Sequence, residues 1–326
     1  MIARNILVRL LLVILFFVSP AAPLFNVGRV GVARAASREP VRARHGMVAS
    51  TSRLASQAGV DVLKRGGNAV DAAIAVAFAL NVTYPAAGNI GGGGFMMIRL
   101  RDGRTTAIDY REMAPAAAHH DVYLDERGEP KKGEGGSLVG YRASGVPGTV
   151  AGMELALKKY GSGKLSWAQL VEPARRLAAE GFQLPYSLAR SLKANAKEFA
   201  PYPESKKLYN NDGRFFDEGE VWRQPELAAT FARLQRLGPR EFYEGRTARL
   251  IAEDMRAHGG LITLEDMRNY VAKERVPLRT TYRGFEVISM PPPSSGGAVL
   301  IEMLNILEGF DLRHMGATSS ERYHVQ

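Results

Sequence analysis

Arg111 is the residue whose type and setting offer chemistry most directly. It lies in Asp109-Tyr110-Arg111-Glu112, at the end of an extended segment and just before Ala114-Pro115. A guanidinium fixed at a strand end can hold a carboxylate through two parallel hydrogen bonds. The same spacing fits a structural ion pair with Glu112 or Asp109, and on residue types alone that plainer reading leads. Other candidates are weaker. The six histidines stand at 45, 119, 120, 258, 314 and 324. None has the i, i+4 spacing of a zinc-protease helix, and no GxSxG elbow occurs. His119-His120 on an extended chain would point its rings apart, so a solvated loop is the default over a metal site. Glu253-Asp254 and Glu265-Asp266 read as solvated helix faces. Spacing assembles no Ser/His/Asp triad. With no cysteine in the chain, a thiol nucleophile, a redox CxxC pair and cysteine-ligated metal are excluded. The expectation is of no metal and no cofactor.

The run Gly91-Gly92-Gly93-Gly94 could suggest a phosphate cradle. The dinucleotide fingerprint, however, needs strand, glycines, then helix, and here the order is helix, glycines, strand. Gly163-Lys164 is followed by Leu165 and lacks the distal glycine of a Walker loop. A tight loop where backbones approach closely is the expectation.

The elements that must position Arg111 can be read from local signals. Thr51 to Arg65 has an amphipathic helical pattern that Gly66-Gly67 closes. Asn68 can cap a second helix, with Asp71 favoured in its first turn. That helix, Ala69 to Val82, is apolar nearly all round and should be buried. Phe95 to Leu100 and Thr105 to Tyr110 read as a hairpin about Asp102-Gly103. After a polar loop, Asp121 to Gly136, the chain turns mainly helical. Ser166-Trp167-Ala168-Gln169 is a capping box with Leu165 and Leu170 as its staple. Further helices are expected at Glu226 to Leu237 and Thr247 to His258, and a short one is capped by Thr263 with Asp266 before Tyr270. A second hairpin, Pro277 to Tyr282 with Phe285 to Met290, leads through Pro291 to Gly297 into a helix from Ala298 to Leu307. Ser319 or Ser320 caps another helix start.

Length and composition set the frame. The 326 residues suit one large or two ordinary domains, and 46% hydrophobic with 23% charged residues excludes a mainly disordered chain. Residues 1–35 have the order of an export signal: Arg4 and Arg9 without acids, then the nine apolar residues Leu10 to Val18, then Ala33-Arg34-Ala35 as a cleavage position. The run is shorter than the ~20 residues a membrane span needs. The expectation is a cleaved signal peptide and a periplasmic or secreted protein, with no membrane segment after its removal. Arg4, Arg9, Arg29 and Arg34 account for four of the +10 net charges, so removal leaves +6. The remaining basic residues are scattered, which argues against a nucleic-acid partner.

Seven segments, in order, carry a resemblance. They are Gly46-Met47-Val48-Ala49-Ser50, Gly66 to Ala73, Gly88 to Phe95, Asp109 to Pro115, Ser144 to Gly152, Gly259-Gly260-Leu261-Ile262-Thr263 and Ser289 to Gly297. Together they make the chain resemble the γ-glutamyltranspeptidase (glutathione hydrolase proenzyme) family of N-terminal-nucleophile hydrolases. The resemblance implies an α+β fold, a four-layer αββα sandwich that is incomplete in this chain, with a largely helical C-terminal half. It implies a precursor that cuts itself before a threonine, whose amine serves as base for its own hydroxyl. That hydroxyl takes the γ-glutamyl group of glutathione or a related compound as an ester and passes it to water or to an acceptor amino acid or peptide. It also implies that Arg111 holds the substrate's α-carboxylate.

One departure is large. The family's nucleophile opens a second, small subunit in a Thr-Thr-His type segment. Thr105-Thr106 and Thr280-Thr281, the Thr-Thr pairs here, are followed by Ala107 and Tyr282, so neither matches. Residues 36–326 are therefore expected to be part of a large subunit, with no catalytic residue of their own, a small subunit from the same precursor as partner, and no activity alone. Cephalosporin or glutaryl acylases and poly-γ-glutamate-processing enzymes of the same fold are the alternative.

Overall fold

The structure is a computed structural model and describes residues 39–326. The segment read as an export signal, 1–35, lies outside the described residues. Residues 39–45 carry no helix or strand and fall in a unit apart from Gly46–Gln326, which holds every element below.

Helix α1 (Arg53–Lys64) starts at Ser52, whose hydroxyl accepts from the Ala55 amide, and it buries Ala55, Ala58 and Val62 on one stripe. Helix α2 (Ala69–Thr83) is the centre of the unit. Asn68 Oδ1 accepts from the Val70 and Asp71 amides at 2.9 and 3.0 Å, and the Asp71 carboxylate accepts from the Asn68 amide at 2.9 Å. This reciprocal cap fixes the start of a helix too apolar to tolerate water on any side. Eleven of its 15 residues are buried, and Phe78 meets Trp167 and Phe231 edge-on at 5.3 and 5.9 Å.

Strands β1 (Phe95–Arg99) and β2 (Thr105–Asp109) pair antiparallel about the expected turn, with Ile98 opposite Thr106. Helix α3 (Thr149–Tyr160) packs on α2 and β2. Helix α4 (Trp167–Glu180) begins with the expected capping box, in which Ser166 and Gln169 satisfy each other's amides. A small pairing follows between β3 (Phe182–Gln183) and a later strand. Between the two come α5 (Tyr186–Ala194), α6 (Ala196–Phe199), α7 (Pro203–Tyr209) and a hairpin of β4 (Asn210–Asn211) with β5 (Arg214–Phe215). The partner of β3 is β6 (Val221–Trp222). Then α8 (Pro225–Leu237) packs against α4, and α9 (Glu241–Glu244), α10 (Arg246–Ala257) and α11 (Leu264–Asn269) form a cluster.

The chain next returns to the first sheet. Strand β7 (Lys273–Arg275) pairs with the free side of β2, giving the order β1-β2-β7 with Asp109 opposite Lys273. Strands β8 (Leu278–Tyr282) and β9 (Phe285–Ser289) form a separate two-stranded sheet. Helix α12 (Ser295–Glu308) lies on that hairpin, with only Gly297 buried, while Val299, Leu300, Met303 and Ile306 stay exposed. The final helix is α13 (Ser320–Val325), capped by Ser319. The mixture of helices and antiparallel sheets agrees with the α+β expectation. Among the described residues, no helix is long and apolar enough to cross a membrane.

Candidate substrate-binding site

Arg111 is the second residue beyond β2, and its main chain is held at both ends of the residue. Its amide donates to Asp109 Oδ1 at 3.1 Å, and its carbonyl accepts from the Tyr270 hydroxyl at 2.8 Å. Its side chain is exposed and, among the described residues, makes no ion pair. The plainer reading of the motif is therefore not what the structure shows. Asp109 is buried, and its Oδ2 is taken by Arg275, whose Nε and Nη2 donate at 3.1 and 2.9 Å. A buried carboxylate needs such a partner. Once Arg275 supplies it, the Arg111 guanidinium is left without a competing anion from its own strand.

Arg111 lines a cleft of about 810 Å³. Glu112, Asn89, Gly92, His119, His120, Tyr123 and Ser144 also line it. The glycine loop behaves as expected of a close backbone approach. A Cβ on Gly93 would lie 2.4 Å from the Tyr110 carbonyl oxygen and 2.8 Å from the Glu112 amide nitrogen. A Cβ on Gly148 would lie 2.0 Å from the Tyr270 hydroxyl oxygen and 2.1 Å from the Tyr110 carbonyl oxygen. Neither position has room for a side chain, so both backbones lie against the segment that carries Arg111. The loop is latched to the start of α3 as well: the Gly92 carbonyl accepts from the Gly148 and Thr149 amides at 2.8 and 3.0 Å. Burial pushes the Tyr110 hydroxyl up to about 12, so it stays a neutral wedge beside the loop.

His119 and His120 are exposed on the rim of this cleft. Ser144 lines it, yet no hydrogen bond among those of the described residues ties its hydroxyl to a basic group. Thr106 donates to Glu274, and Thr105 accepts from Arg279, so both hydroxyls of that pair are engaged in structure. The arrangement is suited to gripping a carboxylate rather than to cutting a bond. Sequence reasoning did not find Tyr270 and Arg275, the residues that hold the site from the far end of the chain. The available signal was Asp109 itself, an acid on a strand otherwise built for burial, which demands a cation from elsewhere.

The family model described as Gamma-glutamyltranspeptidase matches residues 55–326. The chain belongs to the γ-glutamyltranspeptidase family. It is 50% identical over 287 residues to a glutathione hydrolase proenzyme of Escherichia coli, covering 88% of this chain and 49% of that protein. It is 46% identical over 302 residues to a glutathione hydrolase proenzyme of a Pseudomonas species, covering 92% and 51%. The crystal structure of Helicobacter pylori γ-glutamyltranspeptidase superposes with a TM-score of 0.85 at 44% identity, covering 88% of this chain and 81% of that one. The chain thus spans about half the length of the curated γ-glutamyltranspeptidase relatives it matches. The similarity to the solved structure agrees with the α+β fold.

Proposed function

We propose that this chain supplies the glutamate-recognition part of a γ-glutamyltransferase and glutathione hydrolase. The observation that carries the reading is the Arg111 side chain, which lines a cleft and makes no ion pair among the described residues, while Arg275 neutralises Asp109. In this reading Arg111 grips the α-carboxylate of a γ-glutamyl compound such as glutathione through two charge-assisted hydrogen bonds. It thereby fixes where the γ-amide lies. The amide is cleaved by the N-terminal threonine of a small subunit made from the same precursor, and water or an amino acid or peptide resolves the ester. The sheet β1-β2-β7 and the hairpin β8–β9, each with helices on it, would then be parts of a four-layer αββα sandwich. The charge and apolar order of residues 1–35 supports export to the periplasm or beyond.

The test is Arg111→Ala in the mature enzyme that contains this chain. The KM for a γ-glutamyl anilide is expected to rise about 10- to 100-fold, the range for losing a charge-assisted hydrogen-bond pair. The 4-aminobutanoyl anilide is the same molecule without the carboxylate, and its kcat/KM should not change. Equal losses on both substrates would sink the assignment. A glutaryl anilide, which keeps the carboxylate and lacks the α-amino group, separates the acylase alternative: a hydrolase for γ-glutamyl groups should prefer the amino acid form.

A further inference from the structure

Among the described residues the guanidinium that would meet the substrate has no side-chain partner, so none of them fixes its direction through the side chain itself. What fixes it must act on the main chain of Arg111. Two groups do so from opposite ends of the residue. The Asp109 carboxylate holds the amide, and the Tyr270 hydroxyl holds the carbonyl. Each holder is itself braced. Asp109 is gripped by two nitrogens of Arg275 on β7. The Tyr270 ring stacks on Tyr243 at 5.7 Å between centroids and 10° between planes. Tyr243 in turn donates to the Pro147 carbonyl and accepts from the Ala151 amide, both at 3.0 Å. These links run from α9 through the start of α3 to the Arg111 segment. The bare backbone of Gly148 leaves the Tyr270 hydroxyl its place. Burial raises the Tyr270 hydroxyl well above the ordinary tyrosine range, which keeps its proton on as a donor.

We propose that Tyr270 and Asp109 are positioning residues for substrate binding, clamping the Arg111 peptide from its two ends so that the guanidinium meets a carboxylate in one orientation. The proposal rests on the reading of Arg111 as the carboxylate anchor. A side chain with four rotatable bonds binds well only if its root is still, because ordering it on binding costs affinity. The clamp supplies that stillness without occupying any donor of the guanidinium. It acts alike on bound substrate and transition state, so it should govern KM rather than kcat.

Tyr270→Phe removes one hydroxyl and keeps the stack on Tyr243. In the mature enzyme that contains this chain, it should raise the KM for γ-glutamyl anilide about tenfold, with kcat within about twofold. The 4-aminobutanoyl anilide should be unaffected. Combined with Arg111→Ala, Tyr270→Phe should add nothing further, since the clamp works only through that side chain. Asp109→Asn keeps an acceptor for the Arg111 amide but loses the charge facing Arg275, and should give a smaller shift in the same direction. Additive losses in the Tyr270→Phe, Arg111→Ala double variant, or a fall in kcat with KM unchanged, would overturn the proposal. A second readout needs no turnover. Amide hydrogen exchange at Arg111 in the mature enzyme that contains this chain should quicken about tenfold in Tyr270→Phe, with the melting temperature little changed. Unchanged exchange overturns the clamp whatever the kinetics show. Should Arg111→Ala leave KM unaltered while Tyr270→Phe quickens exchange, the carboxylate assignment fails and the clamp on the peptide stands.

Discussion

Helices α2 and α12 are both rich in apolar residues, and the fold treats them in opposite ways. In α2 the apolar surface is used up: α1, α3 and α4 cover it, and even Asp71 and Asn81 are buried. Helix α12 lies on the β8–β9 hairpin, and its Ile301, Leu304 and Leu307 are only half-buried. Val299, Met303 and Ile306 stay exposed. Composition alone does not separate the two helices. What separates them is whether the described chain provides a second layer. The Arg111 cleft belongs to the region built around α2, which explains how an exposed guanidinium can have so firm a base.

The comparison can be broken most sharply by cutting both helices alike. Phe78→Ala removes a fully buried ring wedged between Trp167 and Phe231, and should cost about 3–5 kcal/mol of unfolding free energy. Ile306→Ala acts at a residue 58% exposed and should cost about 0.5 kcal/mol or less. Chemical denaturation of the two variants measures both, and similar losses would mean that α12 is covered after all. The caps offer a finer contrast. Asn68→Ala removes two amide contacts and a 2.7 Å bond from Nδ2 to the Tyr160 carbonyl, for a loss of about 1–2 kcal/mol. Ser294→Ala removes a single 3.3 Å contact with Gly296 and should cost about 0.5 kcal/mol.

The smallest effect is expected from acid, read at one carboxylate of β7. Lys159, followed by the Tyr160 and Thr106 hydroxyls, holds the Glu274 carboxyl down to about 2, against an ordinary value of 4.5. The folded value is the lower one. The contribution is therefore complete above about pH 4.5 and is lost as pH falls towards 2. Partial exposure and salt screen it. Unfolding of the parent and of Glu274→Gln compared across pH 2 to 7 should show a gap that closes on the acid side. A gap as wide at pH 2 as at pH 7 would mean that Glu274 contributes by packing rather than charge.

Much of the fold was written in signals that act within a few residues. Asn68 with Asp71, Ser166 with Gln169 and Thr263 with Asp266 each announce a helix start through partners three apart, and all three caps form. Asp102-Gly103 likewise announces the first hairpin. Strand β7 could not be read this way. Lys273-Glu274-Arg275 shows no alternation of apolar and polar residues, because its pairing is decided by β2 and by charges waiting there: Asp109 for Arg275, and Lys159 for Glu274. The same holds for the site. Local neighbours suggested Asp109 or Glu112 as partners for Arg111, whereas the true partner of Asp109 stands 166 residues on. Arg111 itself was legible from its strand-end setting and from the resemblance. Tyr270 was not, since a tyrosine after a short helix carries no mark of the carbonyl it will meet.

The long reach from Asp109 to Arg275 and from Arg111 to Tyr270 also sets an order of events. The hairpin that ends at Arg111 can form from neighbouring residues. The Tyr270 anchor and the Arg275 brace on Asp109 come only when the segment Tyr270–Arg275 closes a loop of about 160 residues, among the slowest kinds of contact a chain makes. Until then the arginine has its strand but not its hold. Competence to recognise a ligand should therefore appear late in refolding, after most of the helix content has already returned.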